Sequence, residues 1–288
     1  MKVWILGAGG LLGRALVLAC RKARIPYIAS TRKEVDITNL SALREMAAAH
    51  PSTHLINCAA FTDVDGAEKE PEKAYAVNAT GCENLGIIAK EYSMRMVHIS
   101  TDYVFSGDQE TPYLETDTPA PLGVYGKSKL EGEERLQAVL PTCCIVRTSW
   151  LFGSQGKNFL SRVLHHLNAH EELHVDSDQR GRVTYCMDLA AALLDISCHS
   201  GIYHFANEGA VSRFEIARDM HRHARLRGIP LKCEDVIPAP SQAFPSGAPR
   251  PRYSVLNTEK IERVLGKKVR HWKDVIPEYL LYVEKTPE

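Results

Sequence analysis

Tyr125 and Lys129 form the pattern Tyr-x-x-x-Lys, a spacing that can support acid–base chemistry. Residues four positions apart lie on the same face of a helix, so the phenol and the ammonium are expected to share one cleft. A free phenol titrates at about pH 10, and a neighbouring ammonium lowers that pKa, which makes tyrosine a usable acid or base near neutrality. The same pattern also occurs by chance on exposed helix faces, so the pair alone does not establish a catalytic site.

Two hydroxyl residues, Ser100 and Thr101, lie upstream at the end of a predicted strand, and Thr101 is 24 positions before Tyr125. Ligands of open α/β sheets bind at the carboxyl ends of the strands, where a hydroxyl can polarise a substrate carbonyl. The order of hydroxyl, tyrosine and lysine resembles the catalytic residues of the extended short-chain dehydrogenase/reductases. We therefore predict catalytic roles for Thr101, Tyr125 and Lys129 in a reduction that uses a nicotinamide cofactor.

A glycine-rich turn follows the first predicted strand directly and gives Gly-x-x-Gly-x-x-Gly. Glycine allows the tight turn, lets the backbone approach a pyrophosphate, and lets the next helix pack closely on the strand. The amino end of that helix offers N–H groups and a positive dipole end to phosphates. This context favours a dinucleotide site over a plain glycine turn. The predicted cofactor contacts here are Gly7, Gly10, Leu11, Leu12 and Gly13.

The second predicted strand ends in Ser30-Thr31-Arg32-Lys33. An acidic residue at this place would bind the ribose hydroxyls of NAD, whereas cations suit the additional 2′-phosphate of NADP. Arg32 and Lys33 are therefore predicted to bind the phosphate of NADPH. A solvated basic turn is the alternative, and it leaves NADH open as the cofactor.

The elements that must position these residues alternate between short β-branched strands and segments of helical length. Such βαβ units build a parallel sheet with right-handed crossovers. The predicted fold class is α/β, a Rossmann-type doubly wound parallel sheet with a smaller α+β substrate-binding domain. The predicted strands are Val3–Leu6, Pro26–Ala29, His54–Asn57, Met96–Ser100 and Cys144–Arg147. The predicted helices are Leu11–Ala23, Leu40–Ala49, Glu72–Tyr92 and Tyr125–Val139.

The regular alternation of predicted strands and helices ends after Trp150, which indicates a second domain. We place the dinucleotide-binding domain at 1–150 with a return near 186–208, and the substrate-binding cap at 151–185 and 209–288. Pro238–Pro251 contains five prolines and is predicted to be a loop or lid. The other elements predicted in this half are the strand Tyr203–Ala206 and the helices Asn158–Leu167, Cys186–Ile196, Phe214–Arg227 and Thr258–Leu265.

Composition excludes several classes of partner. Lys+Arg and Asp+Glu both number 35, so no excess charge favours nucleic acid or an anionic membrane. The eight cysteines contain no Cys-x-x-Cys pair and are expected to be reduced, which favours a cytoplasmic protein. An amino-terminal stretch ending at Cys20 imitates a lipoprotein signal, but Arg14 and the glycines disrupt its apolar run. No other run is long enough to span a membrane, and the composition leaves a homodimer open.

His170-Glu171-Glu172-Leu173-His174 matches His-Glu-x-x-His, the pattern of zinc proteases. That pattern binds metal only inside a helix, where the two histidines share a face. The preceding helix is predicted to end near Asn168, and an extended segment follows. We therefore predict no metal site.

Longer segments are similar to the dTDP-4-dehydrorhamnose reductase family, over nearly the whole chain. The segments Ser100–Gly107 (STDYVFSG) and Arg147–Gly153 (RTSWLFG) are much more specific than Tyr-x-x-x-Lys. The others are Asn57–Asp65, Val77–Asn78, Tyr125–Glu133 and Asp178–Gly181. Members of that family use NADPH to reduce the C4 ketone of a thymidine-diphospho sugar, which yields dTDP-L-rhamnose.

The resemblance implies a role for each matching residue. Tyr125 would donate the proton to the new alkoxide, Lys129 would bind the nicotinamide ribose and tune Tyr125, and Thr101 would hold the ketone oxygen. The further cofactor contacts that it implies are Asp36, Ile37, Ala59, Ala60, Thr62, Asn78 and Ser100. The implied sugar contacts are Val64, Tyr103 and Trp150, with core packing as the alternative for Trp150.

Three positions depart from the family pattern. Tyr253 and Asn257 replace expected residues in the segment Arg250–Asn257, and Val183 stands where proline is expected. We expect these changes to fall in the part of the chain that shapes the substrate pocket. They leave two alternatives: a reductase or epimerase of another nucleotide sugar, and a regulatory subunit that resembles the beta subunit of methionine adenosyltransferase.

Overall fold

A computed structural model of the chain describes residues 1–153, 156 and 158–285, with side chains up to residue 281. The strands are β1 Val3–Leu6, β2 Tyr27–Ser30, β3 His54–Asn57, β4 Arg95–Thr101, β5 Cys144–Thr148, β6 Leu151–Phe152, β7 Glu172–Asp176, β8 Arg180–Gly181, β9 Thr184–Tyr185, β10 Gly201–Phe205, β11 Val211–Ser212 and β12 Asp235–Ala239. The α-helices are α1 Leu11–Lys22, α2 Leu40–Ala49, α3 Val64–Lys69, α4 Pro71–Tyr75, α5 Gly81–Glu91, α6 Val124–Val139, α7 Phe159–Ala169, α8 Cys186–Asp195, α9 Arg213–Leu226, α10 Glu259–Leu265 and α11 Trp272–Lys285.

Six parallel strands form the main sheet, in the order β10-β5-β4-β3-β1-β2. The chain runs from β1 outward to β2 and then crosses back to β3 on the other side of β1. Ligands of doubly wound sheets bind at the carboxyl ends of the strands where the order reverses in this way. The sheet confirms the predicted α/β class and places a ligand crevice beyond β1 and β3.

The sequence of β1 explains why helices cover both faces of the sheet. All four of its residues are apolar and buried, as expected for a strand of a parallel sheet that is covered on both sides. Because side chains alternate along a strand, Val3 and Ile5 pack in the core formed with α1 and α8, whereas Trp4 and Leu6 pack in the core formed with α2 and α5.

A separate apolar core lies in the second half of the chain. It joins α7, α9 and α11 through Val163, Ile216 and Tyr279. The parallel pair β7 and β12 packs against α9. Strand β10, by contrast, joins the main sheet beside β5. The division of the chain at residue 150 stays a prediction, which the separation of this core from those of the main sheet supports.

Several predicted elements differ from the observed ones. The single long helix predicted over Glu72–Tyr92 consists of α4, a π-helical turn Ala76–Thr80, and α5. Pro238, predicted to begin a loop, lies instead within β12 opposite Val175. A proline is tolerated there because an edge strand does not need every N–H as a donor. Helix α11 was not predicted at all, since Pro277 interrupts its pattern.

None of the helices in the described part of the chain combines the length and the apolar character that crossing a bilayer requires.

Candidate active site

A cleft of about 600 Å³ lies beyond the carboxyl ends of the central strands. Its walls come from the turn after β1, the turn after β2, the loop after β3, the end of β4 and the first turns of α6. The sequence-predicted cofactor residues that line it are Gly7, Gly10, Leu11, Leu12, Arg32, Asp36, Ile37, Ala59, Ala60, Thr62, Ser100, Tyr125 and Lys129. Residues from distant parts of the sequence thus share one crevice of the kind that binds a dinucleotide.

The glycines of the first turn meet a geometric need. Gly7 has φ +74°, and a Cβ there would lie 2.6 Å from the backbone nitrogen of Ala59. Gly13 does not line the cleft; a Cβ there would collide with the carbonyl oxygen of Gly7, so its role is to let α1 pack on the turn. No side chain caps α1 at Gly10 and no acidic residue lies in its first turn. This end of the helix therefore fits the pyrophosphate of a dinucleotide.

The two cations after β2 are placed differently. Arg32 lines the cleft, with its side chain 71% exposed, and its guanidinium lies 3.5 Å from the Asp36 carboxylate. Hydrogen bonds from the backbone and side chain of Thr38 lower the pKa of Asp36. Lys33 is exposed and is not among the residues that line the cleft. Of the two residues predicted to bind a 2′-phosphate, the structure brings only Arg32 into the crevice.

Asn78 lies behind the cleft wall rather than in it. Its side chain accepts a hydrogen bond from the Phe61 amide at 2.8 Å and donates to Ser128 at 3.0 Å. It thereby ties the loop after β3 to α6. The predicted cofactor contact of Asn78 is replaced by a positioning role, because both ends of its amide are used within the protein.

Thr101 and Tyr125 meet at one end of the cleft. Thr101 is the last residue of β4, and Tyr125 lies in the first turn of α6. The ring of Tyr103 lies edge-on to that of Tyr125, with 5.7 Å between centroids. Burial raises the pKa of Tyr125, and the nearby Thr101 hydroxyl opposes that shift. Tyr125 therefore holds its proton at neutral pH.

Lys129 departs from the sequence prediction. The sequence predicts that its ammonium lowers the pKa of Tyr125, whereas burial raises that pKa in the structure. Its Nζ donates to the Ile99 carbonyl at 2.6 Å and lies 3.2 Å from Nε2 of His98. Burial lowers the pKa of Lys129 itself. The two residues share the cleft, as predicted, but Lys129 is bonded to β4 rather than to Tyr125.

A buried carboxyl adjoins this group. Asp102 is 2% exposed and accepts a hydrogen bond from the Thr101 hydroxyl at 3.1 Å. Burial raises the pKa of Asp102 to about 6. Sequence reasoning did not single out Asp102, although it lies inside the STDYVF segment.

A second, larger cleft of about 1190 Å³ lies between α7, α9, β7 and the loop that follows β12. Four arginines line it: Arg162, Arg213, Arg250 and Arg252. Guanidinium groups bind phosphate oxygens in pairs, so this lining suits a diphosphate. Sequence reasoning missed these arginines as ligand residues, because they come from separate elements without a common spacing.

The predicted sugar contacts lie behind that lining. Tyr103 accepts a hydrogen bond from Arg250 at 3.4 Å, and the Trp150 ring lies 4.5 Å from the Arg213 guanidinium. Val64 begins α3, next to Asp65, which lines the cleft. Tyr103 thus connects the arginine-lined cleft with Tyr125, whereas Trp150 packs against Arg213 of that lining.

The three departures from the family pattern do not line either cleft. Val183 is fully buried in the core of the second half. Tyr253 packs against the small apolar cluster around Phe105. The Asn257 side chain accepts a hydrogen bond from the Glu259 amide at the start of α10. The segment Arg250–Asn257 does contribute Arg250 and Arg252 to the larger cleft, but the three changed side chains themselves are not part of its lining.

The His-Glu-x-x-His pattern has no metal-binding geometry. Helix α7 ends at Ala169, and β7 begins at Glu172, so His170 and His174 do not share a helix face. Within the described part of the chain, no three His, Cys, Asp or Glu side chains form a group that could hold a metal ion.

Comparisons with known proteins agree with this architecture. Residues 1–284 match the family described as the RmlD substrate binding domain. The chain is 37% identical over 280 residues to the spore coat polysaccharide biosynthesis protein SpsK of Bacillus subtilis, covering 97% of this chain and 96% of that protein. It is 39% identical over 280 residues to a dTDP-4-dehydrorhamnose reductase of Mycobacterium tuberculosis, covering 94% of this chain and 90% of that one.

A solved structure is similar over the same extent. The crystal structure of dTDP-4-dehydrorhamnose reductase from Bacillus anthracis in complex with NADP superimposes with a TM-score of 0.91 at 34% identity, covering 97% of this chain and 98% of that one. The family match and these relatives extend over both clefts and over the apolar cores of both halves of the chain. The chain belongs to the RmlD substrate binding domain family.

Proposed function

We propose that the chain is an NADPH-dependent reductase that converts dTDP-4-dehydro-L-rhamnose to dTDP-L-rhamnose by reducing the C4 ketone. The observation that carries this proposal is the position of the Thr101–Tyr125 pair between a dinucleotide cleft and an arginine-lined cleft. The names of the relatives support the same substrate and the same cofactor.

The dinucleotide would lie in the smaller cleft. The glycine turn and the amino end of α1 would hold the pyrophosphate, and Arg32 would pair with the 2′-phosphate of NADPH. Asp36 and Ile37 would border the adenine, while Ala59, Ala60 and Thr62 would line the opposite side. When bound, this cofactor supplies the hydride that reduces the ketone.

The chain's own residues would supply the proton and the orientation. Tyr125 keeps its proton at neutral pH because burial raises its pKa, so it is suited to protonate the alkoxide oxygen. Thr101 would hold the ketone oxygen within reach of Tyr125. Tyr103 and Trp150 would pack against the sugar, next to Val64.

The arginine-lined cleft would hold the diphosphate of the nucleotide sugar. Arg213 is held by the face of Trp150, and Arg250 by Asp65 at 3.1 Å and by Tyr103. Guanidinium groups that are fixed in this way lose little freedom when they bind phosphate oxygens. All these residues come from one chain, so the proposal holds equally for a monomer and for a homodimer.

We place this enzyme in the cytoplasm. The eight cysteines are free thiols, and six of them are buried. Such thiols persist in a reducing compartment such as the cytoplasm.

The experiment is NADPH oxidation with enzymatically prepared dTDP-4-dehydro-L-rhamnose, followed by identification of the product. Turnover with formation of dTDP-L-rhamnose is the expected result. Turnover only with another keto sugar would refute the substrate assignment. Binding of NADPH without turnover of any keto sugar would refute the enzyme, and co-purification with a methionine adenosyltransferase catalytic subunit would then support the regulatory alternative.

A further inference from the structure

A chain of hydrogen bonds between buried groups lies behind Lys129. The Ala59 amide donates to Oδ1 of Asn57 at 3.0 Å, and Nδ2 of Asn57 lies 3.0 Å from Nδ1 of His98. Nε2 of His98 in turn lies 3.2 Å from Nζ of Lys129, which donates to the Ile99 carbonyl at 2.6 Å. Asn57, His98 and Lys129 are each at most 2% exposed. Water therefore does not compete for these contacts, and each proton must be assigned within the chain.

The backbone fixes the direction of every bond in this chain. An amide N–H can only donate, so the atom of Asn57 that faces Ala59 is the oxygen and the atom that faces His98 is the NH₂ group. The NH₂ group also can only donate, so Nδ1 of His98 is an acceptor. A neutral imidazole carries one proton, which must then lie on Nε2.

A doubly protonated His98 does not fit. It would point an N–H at the NH₂ group of Asn57, and burial alone lowers the pKa of His98, since it disfavours the charged ring. The imidazole is therefore neutral, with its N–H directed at Lys129.

This N–H determines which form of Lys129 is compatible with the contact. An ammonium has three donors and no acceptor, so it would oppose the His98 N–H at 3.2 Å. An uncharged amine accepts that N–H through its lone pair and still donates to Ile99. The structure assigns Lys129 as an uncharged amine in this arrangement, with His98 as the positioning residue that holds it in that form.

The other groups that face Lys129 do not restore its charge. Burial raises the pKa of the thiols of Cys58 and Cys82, so both are neutral. Glu133, one helical turn further along α6, favours the ammonium, but its carboxylate is bonded to the guanidinium of Arg147 at 2.7 Å. Desolvation is the largest influence on the pKa of Lys129 and lowers it.

The assignment deepens the proposed function, and its relevance to catalysis rests on that function. An uncharged Lys129 leaves Tyr125 protonated, as a proton donor must be. To bind the nicotinamide ribose hydroxyls as a cation, Lys129 must leave His98 and take one proton from solvent onto Nζ. Binding of the nucleotide is then coupled to uptake of a proton.

Nuclear magnetic resonance tests both protonation states directly in the nucleotide-free protein. The ¹⁵N spectra of histidine- and lysine-labelled chain are recorded at pH 8, with His98→Gln and Lys129→Met used to identify the two signals. The expected result is a His98 ring protonated at Nε2 and a Lys129 signal at the position of a neutral amine. A ring protonated at Nδ1, or an ammonium signal from Lys129, would overturn the assignment.

Asn57→Asp tests the coupling between the two groups. The aspartate has the same shape, still accepts from Ala59, and can also accept from Nδ1–H of His98. It should move the ring proton to Nδ1 and turn Nε2 into an acceptor, so that Lys129 becomes an ammonium. A ring that switches while Lys129 stays neutral would overturn the role of His98.

Calorimetry in buffers of different ionisation enthalpy gives a second measure. NADP⁺ binding at pH 8 should take up about one proton per site in the unmodified chain and almost none in Asn57→Asp; absence of uptake in the former would contradict the assignment. No sugar substrate is present in these experiments. A chain that reduces no keto sugar but shows the expected spectra would therefore refute the proposed function alone.

Discussion

Removing the charge of Glu133 should destabilise the helix that carries the candidate catalytic residues. The Glu133 carboxylate accepts hydrogen bonds from Nε and Nη2 of Arg147 at 3.0 and 2.7 Å, and the two side chains are 2% and 3% exposed. The guanidinium also lies 5.2 Å from the centre of the Phe105 ring, which packs against one of its faces. Breaking a buried pair from one side costs about 3–5 kcal/mol, because the remaining charge stays buried without a partner. Glu133→Gln should therefore lower the free energy of unfolding by about 3 kcal/mol.

Urea unfolding followed by circular dichroism measures this change. The matched control is Glu131→Gln on the same helix, whose ion pair with Arg135 is more than a third exposed and should matter by less than about 0.5 kcal/mol. Glu133→Leu combined with Arg147→Met should recover most of the loss, since an apolar pair of similar volume replaces both charges. A loss below about 1 kcal/mol in Glu133→Gln would refute the reasoning that the pair is desolvated.

Three further changes test the cofactor cleft and its surroundings. Gly7→Ala should weaken NADPH binding at least about tenfold in calorimetry, because φ is +74° and the new Cβ would meet the backbone of Ala59. The control Gly9→Ala should bind NADPH normally, since its Cβ meets only a Thr31 methyl at 3.3 Å. Equal losses of affinity in the two variants would contradict this prediction. Arg32→Ala should weaken NADPH binding by about 10- to 100-fold and leave NADH binding unchanged. Lys33→Ala should change the affinity for neither cofactor. A similar loss of affinity for NADPH and NADH in Arg32→Ala would exclude a phosphate contact by Arg32. Burial raises the pKa of Asp102 from its ordinary value of 3.8 to about 6. Because the folded chain then binds the proton more tightly than the unfolded chain, Asp102 lowers the free energy of unfolding as pH rises from about 4 to about 6, by about 2–3 kcal/mol in total. In urea titrations from pH 4 to pH 6, the free energy of unfolding of Asp102→Asn should no longer fall with pH in this way. A pH dependence equal to that of the unmodified chain would show that Asp102 does not have a raised pKa.

The sequence predicts those parts of the candidate site that a short segment contains. The glycine turn needs only the strand before it and the helix after it, and Tyr125 and Lys129 need only one helix. Thr101 follows from the rule that ligand residues end parallel strands. Gly7, Gly10, Tyr125 and Lys129 do line one cleft together with the turn at Arg32, and Thr101 lies beside Tyr125 at its edge. For the same reason the parallel sheet is predictable, since buried strands separated by helices allow few alternatives.

The remaining features depend on residues that are distant in the sequence. Arg162, Arg213 and Arg250 belong to α7, α9 and the loop after β12, so no spacing reveals that they line one cleft. The bond between Lys129 and β4 is likewise tertiary, and it changes the state expected from helix spacing alone. At Pro238 the local preference of the residue for a loop is outweighed by a tertiary contact, the pairing of β12 with β7.

The most direct test of the central claim is Tyr125→Phe in single-turnover reduction of dTDP-4-dehydro-L-rhamnose, with NADPH affinity measured in parallel. Phenylalanine keeps the ring that packs against Tyr103 and removes only the hydroxyl that Thr101 contacts. The account predicts NADPH affinity within about threefold of the unmodified chain and a reduction rate lower by about 10²–10⁴-fold, the usual contribution of a general acid. A variant that binds NADPH and reduces the ketone at the unmodified rate would contradict the assignment of Tyr125 as the proton donor.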